Sequence, residues 1–146
     1  MNLTSPINEH GVFVLDSAVI KSLKSAARKS PFGRARICLH IDTNSPVQEM
    51  VIALCKNSIV EPHRHPIHKP ESYHLLEGEM DVNIFASTGE VIQVIKLHQN
   101  GVRMYRIQGN VWHQPISISE CSVYHEVYTG PFEKNEDVFY MNNEYK

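Results

Sequence analysis

His63-Arg64-His65-Pro66-Ile67-His68-Lys69-Pro70-Glu71-Ser72-Tyr73-His74-Leu75-Leu76-Glu77-Gly78 is the stretch around which this chain is organised. Successive side chains of an extended strand point to opposite faces, so His63 and His65 share a face and both imidazoles can reach one ion. Pro66 and Pro70 make the next segment a turn and not a helix. Glu71 then opens a run through Tyr73, Leu75 and Leu76 that reads as strand. A distant histidine, His113, also follows a turn signal (Gly109-Asn110) and opens an apolar segment. His63, His65, Glu71 and His113 therefore form a candidate metal site. An isolated His-x-His is more often a surface or core feature than a ligand pair. The glutamate heading the next strand and the second histidine setting turn that balance. His68, in the turn, is the competitor to Glu71 for the fourth position.

Working outward, the 146 residues predict one domain with a proper core. The 42% apolar and 21% charged fractions are ordinary for a globular protein. A formal charge of -2 without a basic run points away from nucleic acid and from anionic membranes as partners. Residues 1–16 lack the pattern of a signal peptide, and no apolar stretch approaches the ~20 residues of a membrane-spanning helix. Cys38, Cys55 and Cys121 stand singly inside apolar runs. They read as reduced core thiols, and the expected location is cytoplasmic.

Residues 1–33 read as an N-terminal arm, packing through Val12, Phe13, Val14 and Leu15, followed by a helix. Asp16 or Ser17 is a good N-cap. Val19, Ile20, Leu23, Ala26 and Ala27 make one face of an amphipathic helix, and Pro31 and Gly33 stop it. From Arg34 the hydrophobic period becomes two. Nine or so short strands with frequent turn signals follow to about residue 130, the pattern of an antiparallel sandwich or barrel. Residues 131–146 form a tail whose Val138, Phe139, Tyr140 and Met141 either dock on the barrel or stay disordered.

These residues resemble a cupin. His63-x-His65, Glu71 and Gly78 match the family's first motif, with a five-residue gap before Glu71 and no leading glycine. Gly101 and Gln108-Gly109-Asn110-Val111-Trp112-His113 resemble the second, with Gln108 for its proline and Asn110 for its glycine. Asn is the next best residue where a turn needs positive φ. More narrowly, the N-terminal helix, Arg34-x-Arg36, Pro62-His63-Arg64-His65, Lys69-x-Glu71, and His125-Glu126-Val127 before Gly130-Pro131 look like the WbuC-type cupin-fold metalloproteins. The resemblance implies an all-β double-stranded β-helix (jelly-roll barrel) with one N-terminal α-helix, and a homodimer. It also implies a role near O-antigen or other surface-polysaccharide biosynthesis, with a sugar-derived small molecule as partner.

Three imidazoles and one carboxylate leave one or two positions open on the ion, unlike a closed structural site. The set suits Fe, Mn, Ni, Co, Cu or Zn as one divalent ion. Such an ion polarises a ligand oxygen; as Fe(II) it would also suit a non-haem oxygenase. Parity with Glu71 turns Tyr73 into the interior and His74 away from it. His125 alternates in step with Cys121, Val123 and Val127, and that apolar face is expected to line the cavity. His125 is then either a ligand-contacting residue or a buried histidine bonded to backbone. Trp112 is expected outside the barrel, and His10, His40 and His98 on the surface. Two readings stay open: a metal-dependent isomerase, lyase or oxygenase, and a non-catalytic metal-dependent binder or sensor.

Overall fold

The change of hydrophobic period at Arg34 is where helix gives way to sheet. The computed structural model describes residues 2–3 and 7–144, so residues 1 and 4–6 of the expected arm lie outside the described residues. In chain order the elements begin β1 (Asn2–Leu3), α1 (Ser17–Lys29), β2 (Arg34–Cys38), β3 (Val47–Cys55), β4 (His63–Arg64) and β5 (Glu71–Glu77). They continue β6 (Glu79–Phe85), β7 (Val91–His98), β8 (Met104–Ile107), β9 (Trp112–Ser117) and β10 (Cys121–Thr129). The tail adds α2 (Lys134–Asp137), β11 (Phe139–Tyr140) and α3 (Met141–Glu144).

Asp16 caps α1, its carboxylate accepting from the Val19 amide at 2.9 Å. Arg28 and Lys29 in the last turn suit the helix dipole. The predicted face is the one that packs: Leu23 and Ala27 are fully buried, with Val19, Ile20 and Ala26 beside them. Of the arm's four predicted packing residues, Phe13 and Leu15 join this cluster, whereas Val12 and Val14 stay exposed because an extended chain turns alternate residues outward.

Two sheets face one another. The larger runs β1-β2-β3-β10-β5-β8, and the smaller β11-β4-β9-β6-β7. The space between them holds Ile52, Leu54, Tyr73, Leu75, Met80, Val82 and Tyr124. The opposite face of the larger sheet packs on α1 through Ala35, Ile37, Val51, Ala53 and Val123. The continuous apolar run of β3 follows from this, since the strand is covered on both faces.

One expectation needs correcting, and one open alternative is decided. Cys55 and Cys121 are not separate reduced thiols: they lie opposite one another on β3 and β10 and form a disulfide, leaving Cys38 as the free cysteine. Their separation of 66 positions conceals that pairing in the sequence. The tail, moreover, docks: β11 pairs with β4, and Met141 is buried. Among the described residues no helix is long and apolar enough to cross a membrane.

Candidate metal centre

β4 spans His63 and Arg64, and His65 follows it directly, so the two histidines stand one residue apart on a short extended stretch. His63 pairs in register with His113 on β9, which brings the two distant histidines side by side. Gly109 and Asn110 make this approach possible. Asn110 adopts a φ of 67°, and its amide donates to the His65 carbonyl at 2.7 Å. A Cβ on Gly109 would stand 1.9 Å from the Pro66 carbonyl oxygen, so only glycine lets the two ligand-bearing loops touch.

His63, His65 and His113 are buried, with one ligand atom from each lying within 4.8 Å of the others. Every Nδ1 faces a backbone carbonyl: His63 to Glu61 at 2.9 Å, His65 to Asp137 at 2.7 Å, and His113 to Val111 at 3.0 Å. A carbonyl only accepts, so each Nδ1 carries the proton and each Nε2 is left for another partner. Glu71, at the start of β5, completes the group. Its Oε2 is 3.0 Å from His113 Nε2 and its Oε1 3.4 Å from His65 Nε2. Yet His65 Nε2, His113 Nε2 and Glu71 Oε2 are buried without a hydrogen bond. Buried polar atoms left unpaired are costly. A divalent ion shared by these atoms would satisfy them, and the donor set fits one.

The electrostatics agree. Burial, then His113, pushes the His63 imidazole down to about 3. For His65 burial is outweighed by Glu71, which raises it. Burial pushes the Glu71 carboxyl up, but His113 and His65 hold it below its usual range. His68 is exposed in the turn and is not one of the three clustered histidines.

The cluster opens through His63, His65 and Glu71 onto a cavity of about 550 Å³ between the sheets. Tyr73 lines it, as parity predicts, and packs 4.6 Å from Tyr124, centroid to centroid. His125 does not. Its side of β10 is the α1 side, where Cys121 and Val123 are covered by the helix. Beyond the helix, His125 Nδ1 lies 3.1 Å from His74 Nδ1, and its Nε2 lies 2.8 Å from Glu49 Oε1. The interior face of β10 instead carries Tyr124, Glu126 and Tyr128, which the sequence reading did not select. Cross-strand register sets that face: Tyr128 pairs with Glu71, and Glu126 with Tyr73. Burial and the charge of Glu71 push the Glu126 carboxyl up to about 8. Arg34, Arg36 and His40 also line the cavity, so His40 is not simply a surface residue. Trp112 is buried beside the ligand strand, under the Arg64 guanidinium at 4.9 Å.

Two facing antiparallel sheets with a histidine cluster at one end of the space between them define the cupin barrel, and this fold is shared with solved structures. An oxalate oxidase in complex with the substrate analogue glycolate aligns at TM-score 0.56 and 15% identity, over 77% of this chain and 57% of that one. A protein of Shewanella oneidensis aligns at 0.55 and 9% identity, over 69% and 66%. The capsular polysaccharide assembling protein CapF of Staphylococcus aureus aligns at 0.55 and 16%, over 64% and 26%. This chain thus spans less than two thirds of each of these proteins. The chain belongs to the family described as Domain of unknown function (DUF6016), whose model matches residues 15–97. That match runs from α1 through β7 and takes in His63, His65 and Glu71. No curated protein sequence matches the chain.

Proposed function

We propose that this chain is a divalent-metal cupin of the WbuC type, with His63, His65, His113 and Glu71 as ligands, acting on a sugar-derived intermediate of bacterial surface-polysaccharide assembly. One observation carries the metal reading: three buried imidazoles, each locked by a carbonyl at Nδ1, bring one ligand atom apiece within 4.8 Å of the others, and those of His65 and His113 face the Glu71 carboxylate. Backbone acceptors of this kind fix tautomer and ring orientation in metal sites. The ion would act as a Lewis acid on a ligand oxygen. The chain's own contribution is to seat the ligand against the packed rings of Tyr73 and Tyr124, to exclude water through the facing sheets, and to offer the Glu126 carboxyl for proton exchange. The likeness to CapF supports the polysaccharide context.

A homodimer belongs to this reading. The edge strand β7 exposes Val91, Ile92 and Val94, an apolar strip suited to a second copy.

Incubating the metal-loaded protein with nucleotide sugars and following turnover by mass spectrometry, with and without chelator, tests the enzymatic reading. Chelator-sensitive conversion supports it. Chelator-sensitive binding without conversion favours the non-catalytic binder instead.

A further inference from the structure

We propose that His74 and His125, on the outer face of the larger sheet, form a second metal site, a two-imidazole chelate for an exchangeable transition-metal ion such as zinc, with Glu49 as the carboxylate that orients it. The site shares no residue with the buried histidine cluster and does not rest on the metal reading above. Register builds it. His74 on β5 and His125 on β10 are directly opposite, so their side chains leave the same face as near neighbours. Val51 on β3 is opposite His125, which makes Glu49, two residues away, a diagonal neighbour of that ring. α1 covers this face at Val51 and Val123 but leaves His74, His125 and Glu49 half-buried, within reach of solvent.

Hydrogen-bond polarity then fixes the ring nitrogens. Glu49 Oε1 lies 2.8 Å from His125 Nε2, and an ionised carboxylate only accepts, so His125 carries its proton on Nε2. Its Nδ1 is left with a lone pair, which faces His74 Nδ1 at 3.1 Å. The ring centroids are 5.2 Å apart and the planes 23° from parallel, so the rings meet edge to edge through these two nitrogens. One proton fills the gap between them. Burial, then His125, holds the His74 imidazole below its usual value, which favours the uncharged ring that a metal needs. A metal ion can take the proton's place. Two bonds of about 2.0–2.1 Å at a tetrahedral angle hold their nitrogens about 3.3 Å apart, close to the separation already present. A ligating imidazole characteristically gives its other N–H to a carboxylate, the part Glu49 plays for His125. Imidazole suits zinc, copper and nickel, whereas magnesium prefers oxygen ligands. With two protein ligands and water in the remaining positions, this ion exchanges under conditions in which the buried cluster keeps its own.

The test uses the full chain, dialysed against a weak chelator and its residual metal measured. Zn²⁺ is then titrated calorimetrically, in excess Mg²⁺, into the natural protein and into His74→Gln, His125→Gln and Glu49→Gln. The natural protein is expected to take up one more Zn²⁺ than either histidine variant, and Glu49→Gln to bind that ion roughly 10–100-fold more weakly. Should a variant not fold, Zn²⁺ protection of the natural protein's histidines from diethyl pyrocarbonate, mapped by mass spectrometry, reads the same site. His74 and His125 are expected to be shielded together. Uptake of a single Zn²⁺ that both histidine variants lose, in protein without residual metal, also supports the inference and would tell against the metal reading of the buried cluster only. No further uptake by the natural protein, equal uptake in both histidine variants, rings left unshielded, or suppression of binding by Mg²⁺ would overturn it.

Discussion

The backbone carbonyl of Asp137 accepts from His65 Nδ1 at 2.7 Å, so the C-terminal tail holds one of the three clustered imidazoles. The Asp137 side chain anchors that carbonyl. It is bound by Lys69 Nζ at 2.6 Å, the Glu133 amide at 2.6 Å and the Tyr128 hydroxyl at 3.0 Å. These partners overcome burial and hold its carboxyl below the usual range. Lys69→Met or Asp137→Asn should loosen the tail and weaken metal binding roughly 10–100-fold, read by competition with a chelator. Undiminished affinity in both variants would show that the tail does not support the site.

Gly109→Ala tests the contact between the two ligand loops. The added methyl would fall 1.9 Å from the Pro66 oxygen, and backbone on both sides would have to move. The expected result is a large loss of bound metal together with a lowered Tm. A variant with normal metal content would mean that the loops can separate without cost to the site.

Acidity gives a signed prediction for Glu126. Its ordinary value is 4.5 and its folded value about 8, so between these pH values the folded protein holds a proton that the unfolded chain has released. Below 4.5 the group contributes nothing; as pH rises toward 8 it increasingly opposes folding. Glu126→Gln should therefore match the natural protein near pH 4.5 and exceed it above pH 8, by on the order of a few kcal/mol. Denaturant unfolding of chelated protein across this range checks it. A variant less stable at high pH would contradict the reading. Adding metal beside Glu71 should shrink the difference, since a cation there draws the carboxyl back down.

The barrel was legible because turn residues punctuate it and because His63-x-His65 and Glu71 lie close in sequence. The helix was legible from Asp16, Leu23 and Ala27, where cap and period agree. The cavity wall was less so. β10 carries mixed residues on both faces, and the apolar parity of Cys121 and Val123 marks contact with α1, not the interior. His125 was misassigned for that reason and Glu126 missed. Pairing across strands, such as Glu126 with Tyr73, is a tertiary fact that local period does not encode. The Cys55–Cys121 bridge was hidden in the same way.

That bridge has its own test. Thiol titration of the unfolded protein should count one cysteine, Cys38, before reduction and three after. The loop closed is 66 residues, so reduction should lower stability by up to about 4 kcal/mol. Three thiols without reductant would remove the disulfide from the account.

Metal stoichiometry of the purified protein, measured beside His113→Ala, Glu71→Ala and His68→Ala, tests the central claim most directly. The account predicts about one transition-metal ion per chain in the natural protein and in His68→Ala. It predicts an empty site in His113→Ala, and in Glu71→Ala a loss beyond the roughly 10–100-fold of an outer partner. Metal lost on substitution of His68 but retained without Glu71, or no metal bound by the natural protein under any loading, would contradict it.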